Sequence, residues 1–384
     1  MNWNKTLSLL TAAVWTFSLA ACTFNKTEEN KTIVLDNVTK AKNIILLIGD
    51  GMGPSQIKAG EIYKGSSLTL QKFPYSTMVE TVSLDGTTDS AAAATAIATG
   101  ERTENGRVGM KMNWLLGDYE DISTIVDIAT SLGKRTGILT TEELYGATPM
   151  GFSGHSLSRN NTEELLHSAS NSGNVNLFAS YTISTTYSNI LKNNGYQIID
   201  SVEKISESKE EKIFGSYNIQ AKAKSMMAGE QVAFDYLVTE ALEYLSQDED
   251  GFFLMAEGAH IDHGGHSNDI HYMLEELLAF DDGVQAALNW AKNKKDTVVI
   301  VTADHETGGL VLQSTINKSN MFDISEANGR PAQYYWSTTG HTSTEVYCYI
   351  NGANIDFSKY AFNSKDIIKN TDIFKIVDSL MKGL

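Results

Sequence analysis

The sequence predicts an α/β fold, a three-layer sandwich with helices on both sides of a large, mostly parallel central sheet. Four continuous apolar runs predict strands that are covered on both faces, as parallel strands are. These runs are residues 43–48, 136–140, 252–255 and 296–302. Helical patterns at residues 122–132, 229–246 and 270–292 alternate with them, which is the order expected for an α/β sheet.

The first 41 residues are predicted to lie outside this fold. Lys5 is followed by an apolar run over residues 7–21 that leads into Cys22, and this order resembles a bacterial lipoprotein signal whose cysteine is acylated. An ordinary export signal with an incidental cysteine is the alternative. We expect a signal peptide over residues 1–21, a lipid anchor at Cys22 as the membrane attachment, and export to the periplasm or the outer membrane.

The rest of the chain divides into a tether and one domain. Residues 22–41 are rich in Asn, Lys, Thr and Glu and are predicted to form a flexible tether. Residues 42–384 show no obvious linker and no internal repeat, so we expect a single domain. Residues 174–226 and 311–335 are polar and lack a clear period, which makes them candidate excursions from the core near the functional site.

The charge balance argues against nucleic acid as a partner. The chain has 30 Lys and Arg against 47 Asp and Glu, a formal net charge of −17, so its surface repels phosphate backbones. The same field repels a small phosphorylated substrate. An enzyme that acts on phosphate would therefore need positive charge concentrated at its site, which metal ions held by acidic residues can supply.

Charged residues follow two of the predicted strands. Asp50 stands between two glycines directly after the first strand, and Asp304 and His305 follow the strand at residues 296–302. In parallel sheets ligands bind beyond the carboxyl ends of the strands, so these residues are candidates for a shared site. Carboxylates and imidazoles are metal ligands. For Asp50 alone, a turn that merely ends a strand is an equally good interpretation.

The densest group of candidate ligands is the run from Glu257 to His266. Asp262 and His266 are four residues apart, so one helical turn places both on one face. An Asp and His pair suits Zn²⁺. Three histidines and two acids within ten residues are hard to explain as packing, and Glu257 follows an apolar strand. The run therefore predicts a metal site.

Ser90 is a candidate nucleophile at the start of a predicted helix. It follows Asp89 and precedes four alanines, and Gly100 marks the helix end. Asp and Ser at such a position most often cap the helix, and on these residues alone that interpretation is favoured. The free N–H groups of a helix N-terminus also favour a serine alkoxide and phosphate, so capping and catalysis can coexist in adjacent residues.

Two further residues carry little signal by themselves. His341 lies in a polar turn, where a histidine is more often structural than a metal ligand. Arg159 is a basic residue in an acidic chain, and a lone arginine is usually a surface salt-bridge partner. If Arg159 reaches the site, its guanidinium can clamp phosphate with two parallel hydrogen bonds.

Together and in this chain order, these residues resemble the alkaline phosphatase family, and its smaller bacterial members in particular. The resemblance extends from Asn43 to the C-terminus. Four motifs carry it: Gly-Asp-Gly at residues 49–51, Thr-Asp-Ser-Ala-Ala at 88–92, Glu-Gly-x-x-Ile-Asp-x-x-x-His at 257–266 and Thr-Ala-Asp-His-Glu-Thr-Gly-Gly at 302–309.

The resemblance implies a metal-dependent phosphomonoesterase that acts on small phosphomonoesters. It implies a phosphoserine intermediate on Ser90, Arg159 as the phosphate clamp, two zinc ions and a third ion, usually magnesium. A homodimer is left open. The implied ligands are Asp262, His266 and His341 for the first zinc, Asp50, Asp304 and His305 for the second, and Asp50, Thr148 and Glu257 for the third ion.

The chain departs from the family pattern at two positions. Gly146 stands where members often carry Asp or His, and it has no side chain to hold water around the third ion. His263 stands where the family varies, and it could contact phosphate through water or compete for metal. The sequence therefore leaves the identity and occupancy of the third ion open.

Two other functions are consistent with the same residues. A phosphodiesterase or a sulfatase of the same superfamily would share the metal ligands, although Ser90 and Arg159 favour a monoester. A non-catalytic surface lipoprotein that stores zinc or binds phosphate would fit the predicted anchor and the acidic charge. Such a protein would have no need of Ser90.

Overall fold

The structure, a computed structural model, describes residues 40–220, 231–313, 322–323, 333–352, 355–357, 362 and 366–383. The predicted signal peptide, Cys22 and the tether as far as residue 39 lie outside the described residues, so they stay predictions. Within the described part of the chain, no helix is long and apolar enough to cross a membrane.

Strands and helices alternate along most of the chain. The strands within the described residues are β1 (Asn43–Gly49), β2 (Tyr75–Glu80), β3 (Val82–Ser83), β4 (Gly86–Thr87), β5 (Met110–Asn113), β6 (Asp118–Asp121), β7 (Arg135–Glu143), β8 (Leu177–Tyr181), β9 (Gln197–Ile199), β10 (Ile213–Tyr217), β11 (Phe252–Gly258), β12 (Thr297–Thr302), β13 (Glu306–Thr307), β14 (Leu310–Gln313), β15 (Phe322–Asp323), β16 (Gln333–Trp336), β17 (His341–Thr342), β18 (Val346–Gly352) and β19 (Ile367–Lys369). The helices are α1 (Pro54–Lys64), α2 (Ser90–Thr99), α3 (Ile125–Ser131), α4 (Ala147–Ser153), α5 (Thr162–Ser172), α6 (Thr185–Asn193), α7 (Glu203–Glu207), α8 (Phe234–Leu245), α9 (His260–His266), α10 (Ile270–Ala291) and α11 (Asn370–Lys382), with a 3-10 turn at Leu70–Lys72.

The central sheet has ten strands in the order β19-β2-β18-β12-β1-β11-β7-β8-β10-β9. All of them run in the same direction except β18, which is antiparallel to both of its neighbours. The four apolar runs of the sequence form β1, β7, β11 and β12 in the middle of the sheet. The predicted α/β fold with a mostly parallel sheet is confirmed.

Helices cover both faces of the sheet, as two neighbouring residues of β11 show. Phe252 and Phe253 point to opposite faces because successive residues of a strand alternate. Phe252 packs against Trp290 of α10, while Phe253 stacks on Phe152 of α4. Helices α8 and α10 pack together on the first face, and α2, α4 and α11 form the second layer. The mostly apolar strands β1, β11 and β12 therefore bury both of their faces.

The structure corrects the expectation that residues 174–226 leave the core. Their described part supplies β8, β10 and β9, which form one edge of the central sheet. These strands have only five, five and three residues and polar segments separate them, so they lack the long apolar run that marks a buried strand. Residues of the second stretch, 311–335, contribute to a separate sheet of β14, β16 and β15.

Candidate functional site

The candidate site lies at the carboxyl ends of β12, β1 and β11, which are neighbouring parallel strands. Asp50 directly follows β1, Glu257 lies near the end of β11, and Asp304 comes two residues after β12. Ile48 is in register with both Glu257 and Thr302, so the three strand ends lie side by side. Acidic residues from distant parts of the sequence are thus brought to one edge of the sheet, as expected for a parallel fold.

Asp50, Asp304 and His305 form the first cluster of ligand-type side chains. One ligand atom of each residue lies within 4.8 Å of those of the other two. His305 Nε2 is 3.0 Å from Asp304 Oδ2 and 3.6 Å from Asp50 Oδ1. Asp304 and His305 are fully buried and Asp50 is only 5% exposed, so these groups are removed from bulk water. They are the set that the resemblance implies for the second zinc.

Asp262, His266 and His341 form the second cluster. Asp262 and His266 lie one turn apart in α9, and His266 Nε2 is 3.3 Å from Asp262 Oδ2. Strand β17 brings in His341, whose Nε2 is 3.1 Å from His266 Nε2 and 3.5 Å from Asp262 Oδ1. The two clusters adjoin, because ligand atoms of Asp262, His341 and His305 also lie within 4.8 Å of one another. This second set is the one implied for the first zinc.

Backbone carbonyls orient two of the imidazole rings. His266 Nδ1 donates to the carbonyl of Thr339, and His341 Nδ1 donates to the carbonyl of Thr88 at 2.9 Å. A carbonyl can only accept, so Nδ1 carries the hydrogen and Nε2 of the neutral ring keeps its lone pair. Both Nε2 atoms face Asp262, which is the arrangement a metal-binding histidine needs.

Ser90 is the first residue of α2, and its hydroxyl faces the clusters. Ser90 Oγ is 3.2 Å from His305 Nε2, and the residue is 5% exposed. The neighbouring Asp89 is the helix cap, because its side chain accepts a hydrogen bond from the backbone N–H of Ala92 at 3.0 Å. Capping therefore belongs to Asp89, and the Ser90 hydroxyl is left at the site.

Arg159 reaches the site through Asp89. Its Nη1 donates to Asp89 Oδ2 at 3.3 Å, and the same oxygen accepts the backbone N–H of Gly106 at 3.0 Å. The Arg159 side chain is 36% exposed. The guanidinium is therefore accessible to an anion next to Ser90, although the sequence alone favoured a surface salt bridge.

Asp50, Thr148 and Glu257 present three buried oxygens that have no hydrogen-bond partner among the described residues. The atoms are Asp50 Oδ1, Thr148 Oγ1 and Glu257 Oε1. The other carboxylate oxygen of Glu257 accepts from the hydroxyl of Thr140. Buried oxygens without partners are costly, and a cation with oxygen ligands would satisfy all three at once. These residues therefore fit the third ion.

The site holds more negative than positive charge. Burial, reinforced by the charges of Asp304 and Asp262, raises the pKa of Asp50 well above its usual value. Burial, followed by the charge of Glu142, does the same to the pKa of Glu257. Protons or cations must offset this repulsion, so the electrostatics favour bound metal.

Histidines offset part of the charge. Burial alone would raise the pKa of Asp262, but the hydrogen bond with His266 and the charge of His305 hold it below its usual value. The hydrogen bond to Asp262 raises the pKa of His266 to about 9 against the opposing effect of burial. Because a metal ion would take the place of these protons, the two clusters fit zinc, which accepts carboxylate and imidazole ligands together.

Glu306, which has no role in the sequence reasoning, holds the loops of the site together. Its Oε1 accepts from Gln56 Nε2 at 2.7 Å and from the backbone N–H of Leu310 at 3.2 Å. Its Oε2 accepts from the backbone N–H of Gly309 at 3.2 Å and from the hydroxyl of Thr342. Glu306 thereby fixes α1 and β17 to the loop after β12. Its place in the run that follows Asp304 is the only signal in the sequence.

Glu142, which sequence reasoning also missed, lies beside Gly146. A Cβ atom at Gly146 would lie 1.8 Å from Glu142 Oε1, so this carboxylate occupies the space of a side chain at position 146. His263 Nε2 is 3.8 Å from Glu142 Oε2, and the His263 side chain is 47% exposed. Burial raises the pKa of Glu142 to about 7.

Comparisons with known proteins agree with this site. The family model described as alkaline phosphatase matches residues 41–191 and 184–354. Alkaline phosphatase 4 of Bacillus subtilis is 29% identical to this chain, over 82% of the chain and 70% of the relative. The alkaline phosphatase of Escherichia coli is 31% identical, over 69% of the chain and 70% of the relative.

Solved structures show the same fold. The alkaline phosphatase from the Antarctic bacterium TAB5 is 28% identical and superposes with a TM-score of 0.76, over 90% of this chain and 99% of that one. A variant of the TAB5 enzyme in which glutamate replaces a histidine has Mg bound in its M3 site and superposes with a TM-score of 0.74.

Replacing Glu306 with alanine is expected to destabilise the fold by about 2–4 kcal/mol, because buried donors lose a charged acceptor. Urea unfolding of chelator-treated protein measures this effect apart from metal binding. The control Glu306→Gln keeps the shape and one acceptor oxygen, so a smaller loss is expected. An unchanged free energy of unfolding in Glu306→Ala would show that Glu306 does not hold these loops.

In metal-free protein, the free energy of unfolding of Glu142→Gln is expected to increase relative to that of the parent as the pH rises from 4.5 to about 7. Burial raises the pKa of Glu142 from 4.5 to about 7, so in this range the folded state keeps a proton that the unfolded state has released. The destabilising effect of Glu142 is thus absent below this range and complete above it. Glutamine cannot ionise, and we expect a relative gain of roughly 1–3 kcal/mol.

Urea unfolding of both proteins across this pH range measures the gain. Glu143→Gln, at the neighbouring position of β7, is the matched control and should show a smaller change. A difference between Glu142→Gln and the parent that stays constant with pH would contradict the expectation.

Proposed function

Because the chain belongs to the alkaline phosphatase family and is a metal-dependent phosphomonoesterase, we propose that it forms a phosphoserine on Ser90, with two zinc ions and a magnesium ion at the site. The observation that carries the proposal is the contact of 3.2 Å between Ser90 Oγ and His305 Nε2. His305 belongs to the first cluster and also adjoins the second. A hydroxyl in this place can attack a phosphoryl group held at both clusters.

The chemistry of the ligands supports the choice of ions. Two sets combine carboxylate and imidazole, which suits zinc. We assign Asp262, His266 and His341 to the first zinc, and Asp50, Asp304 and His305 to the second. Asp50, Thr148 and Glu257 offer oxygen alone, which suits magnesium. When bound, the cations would supply charge neutralisation and Lewis acidity to the phosphoryl transfer.

The proposed reaction runs in two steps on Ser90. In the first step Ser90 Oγ bonds to phosphorus while the bond between phosphorus and the alcohol oxygen of the substrate breaks, and the proton lost by the hydroxyl is balanced by one that the released alcohol gains. In the second step water attacks the phosphoserine, which releases inorganic phosphate and restores the serine hydroxyl. The N-terminus of α2 places backbone N–H groups and the positive end of the helix dipole beside Ser90, which stabilises the negative charge of both steps.

We assign Arg159 to the phosphate. Its contact with Asp89 fixes the guanidinium next to the nucleophile, and its partial exposure leaves it open to a substrate. An arginine can give two parallel hydrogen bonds to phosphate oxygens. In a chain with a net charge of −17, a fixed cation also helps an anionic substrate to stay bound.

The family assignment replaces the alternatives left open by the sequence. Phosphodiesterase or sulfatase activity would keep the metal ligands, but the matched relatives are alkaline phosphatases. A protein that only stores zinc or binds phosphate would not need a serine hydroxyl where the two clusters adjoin, which is where Ser90 lies.

Ser90→Ala is expected to lower the rate of phosphate release by about 10³-fold or more, because the nucleophile is lost. The measurement is inorganic phosphate released from an aryl phosphomonoester, together with elemental analysis. Zinc and magnesium contents should match those of the parent. Ser170→Ala is the control, since it removes a buried hydroxyl from α5 whose partners are Leu166 and Asn194. Parental activity in a metal-loaded Ser90→Ala protein would refute the nucleophile.

Arg159→Ala is expected to lower kcat/KM for the same substrate by roughly 10–100-fold while metal content stays unchanged. Arg159→Lys should recover part of the loss, because lysine keeps the charge but not the paired donors. Arg135→Ala, which removes an arginine that pairs with Asp248, serves as the control. If Arg159→Ala and Arg135→Ala gave equal kcat/KM values, Arg159 would not bind phosphate.

A further inference from the structure

The space beside Gly146 is filled by the carboxylate of Glu142, four residues earlier in the chain. A Cβ atom at Gly146 would lie 1.8 Å from Glu142 Oε1 and 2.6 Å from Glu142 Cδ. Gly146 itself has φ −56° and ψ 157°, a conformation that any residue adopts. The backbone therefore does not require glycine at this position. Glycine instead leaves the space that the Glu142 carboxylate occupies.

Glu142 is connected to the oxygens proposed for the third ion. The backbone N–H of Glu142 donates to Thr140 Oγ1 at 3.2 Å, and the Thr140 hydroxyl donates to Glu257. Gly146, which contacts the Glu142 carboxylate, lies directly before α4 and two residues before Thr148. Glu142 therefore lies close to two of the residues that carry unpaired buried oxygens.

Glu142 adds a third carboxylate to this place, and its charge is offset only in part by that of Arg159 and by His263, whose Nε2 lies 3.8 Å from Glu142 Oε2. Asp50 and Glu257 are buried, and the side chain of Glu142 is only 18% exposed, so the three carboxylates repel one another in a poorly solvated place. Asp50 Oδ1, Thr148 Oγ1 and Glu257 Oε1, which have no hydrogen-bond partner among the described residues, are an independent sign of a ligand site. A divalent cation would satisfy these oxygens and remove the repulsion.

We propose that Glu142 is a metal-binding residue of the third site, and that it supplies from β7 the carboxylate that Gly146 cannot provide. The inference rests on the proposed function, which places an ion at Asp50, Thr148 and Glu257. With Glu142 the donor set consists of three carboxylates and a hydroxyl, without nitrogen or sulfur. Such a set suits Mg²⁺, a hard cation that takes oxygen ligands.

The first test is the affinity for magnesium, measured by isothermal titration calorimetry on zinc-loaded protein that has been freed of magnesium. Glu142→Gln is expected to weaken Mg²⁺ binding at least about tenfold, as loss of a ligand or of its supporting group does. The zinc content from elemental analysis should equal that of the parent. Glu143→Gln changes the same charge at the next residue of the strand and should leave Mg²⁺ affinity within about twofold of the parent.

The second test moves the carboxylate. Gly146→Ala should push the Glu142 side chain aside and weaken Mg²⁺ binding as Glu142→Gln does. The free energy of unfolding should change little, because the end of a flexible side chain is what moves. The double variant Glu142→Ala with Gly146→Asp places an acid at position 146 in the space that Glu142 leaves. It should regain most of the Mg²⁺ affinity that Glu142→Ala alone loses.

Three results would overturn the proposal: a parent that binds no Mg²⁺, an affinity that Glu142→Gln leaves unchanged, or a double variant that binds no better than Glu142→Ala. The affinity is measured without substrate, so its outcome is separate from that of the proposed function. If the parent released no phosphate but Glu142→Gln bound Mg²⁺ more weakly than the parent, the proposed function would be refuted and the role of Glu142 would be supported.

Discussion

Repulsion among buried carboxylates is the constraint on which the rest of the site depends. Burial raises the pKa of Asp50, and the charges of Asp304, Asp262, Glu257 and Glu142 raise it further. These residues are close together because backbone hydrogen bonds hold β12, β1 and β11 in register, and their apolar side chains are buried between two layers of helices. The energy of the apolar core thus keeps together acids that would separate in water.

Groups that are not themselves ligands set the geometry of the site. Carbonyls of Thr339 and Thr88 fix the orientation of the His266 and His341 rings. Glu306 ties β17, which carries His341, to the loop after β12. These contacts involve backbone atoms and one buried acid, so they do not require a cation to form. Ligands held in advance in this way lose little freedom when a cation arrives, which favours tight and selective binding.

The start of α2 shows how one short segment can serve both stability and chemistry. Asp89 caps the helix, receives the N–H of Gly106 and holds Arg159, while Ser90 beside it faces His305. The cap fixes the first turn of the helix, and the helix in turn fixes the Ser90 hydroxyl. A substitution that weakened the cap would therefore displace the nucleophile and the arginine together.

The sequence by itself determined the features that depend on short-range geometry. Apolar runs located β1, β7, β11 and β12, and a spacing of four residues placed Asp262 and His266 on one face of α9. A period along the chain encodes such features directly, so they can be seen without knowledge of the fold. The resemblance to the family added implied ligands that local patterns do not show, such as His341 and Thr148.

Only the tertiary structure decided how the separate segments meet. Ser90 contacts His305 across 215 positions of sequence, and the turn that carries His341 has no pattern that predicts its place in the second cluster. The edge strands β8 to β10 were missed because they are short. Glu142 was missed because the sequence does not show that its carboxylate fills the space beside Gly146. Contacts of this kind depend on strand order and side-chain volume in three dimensions, which no local period records.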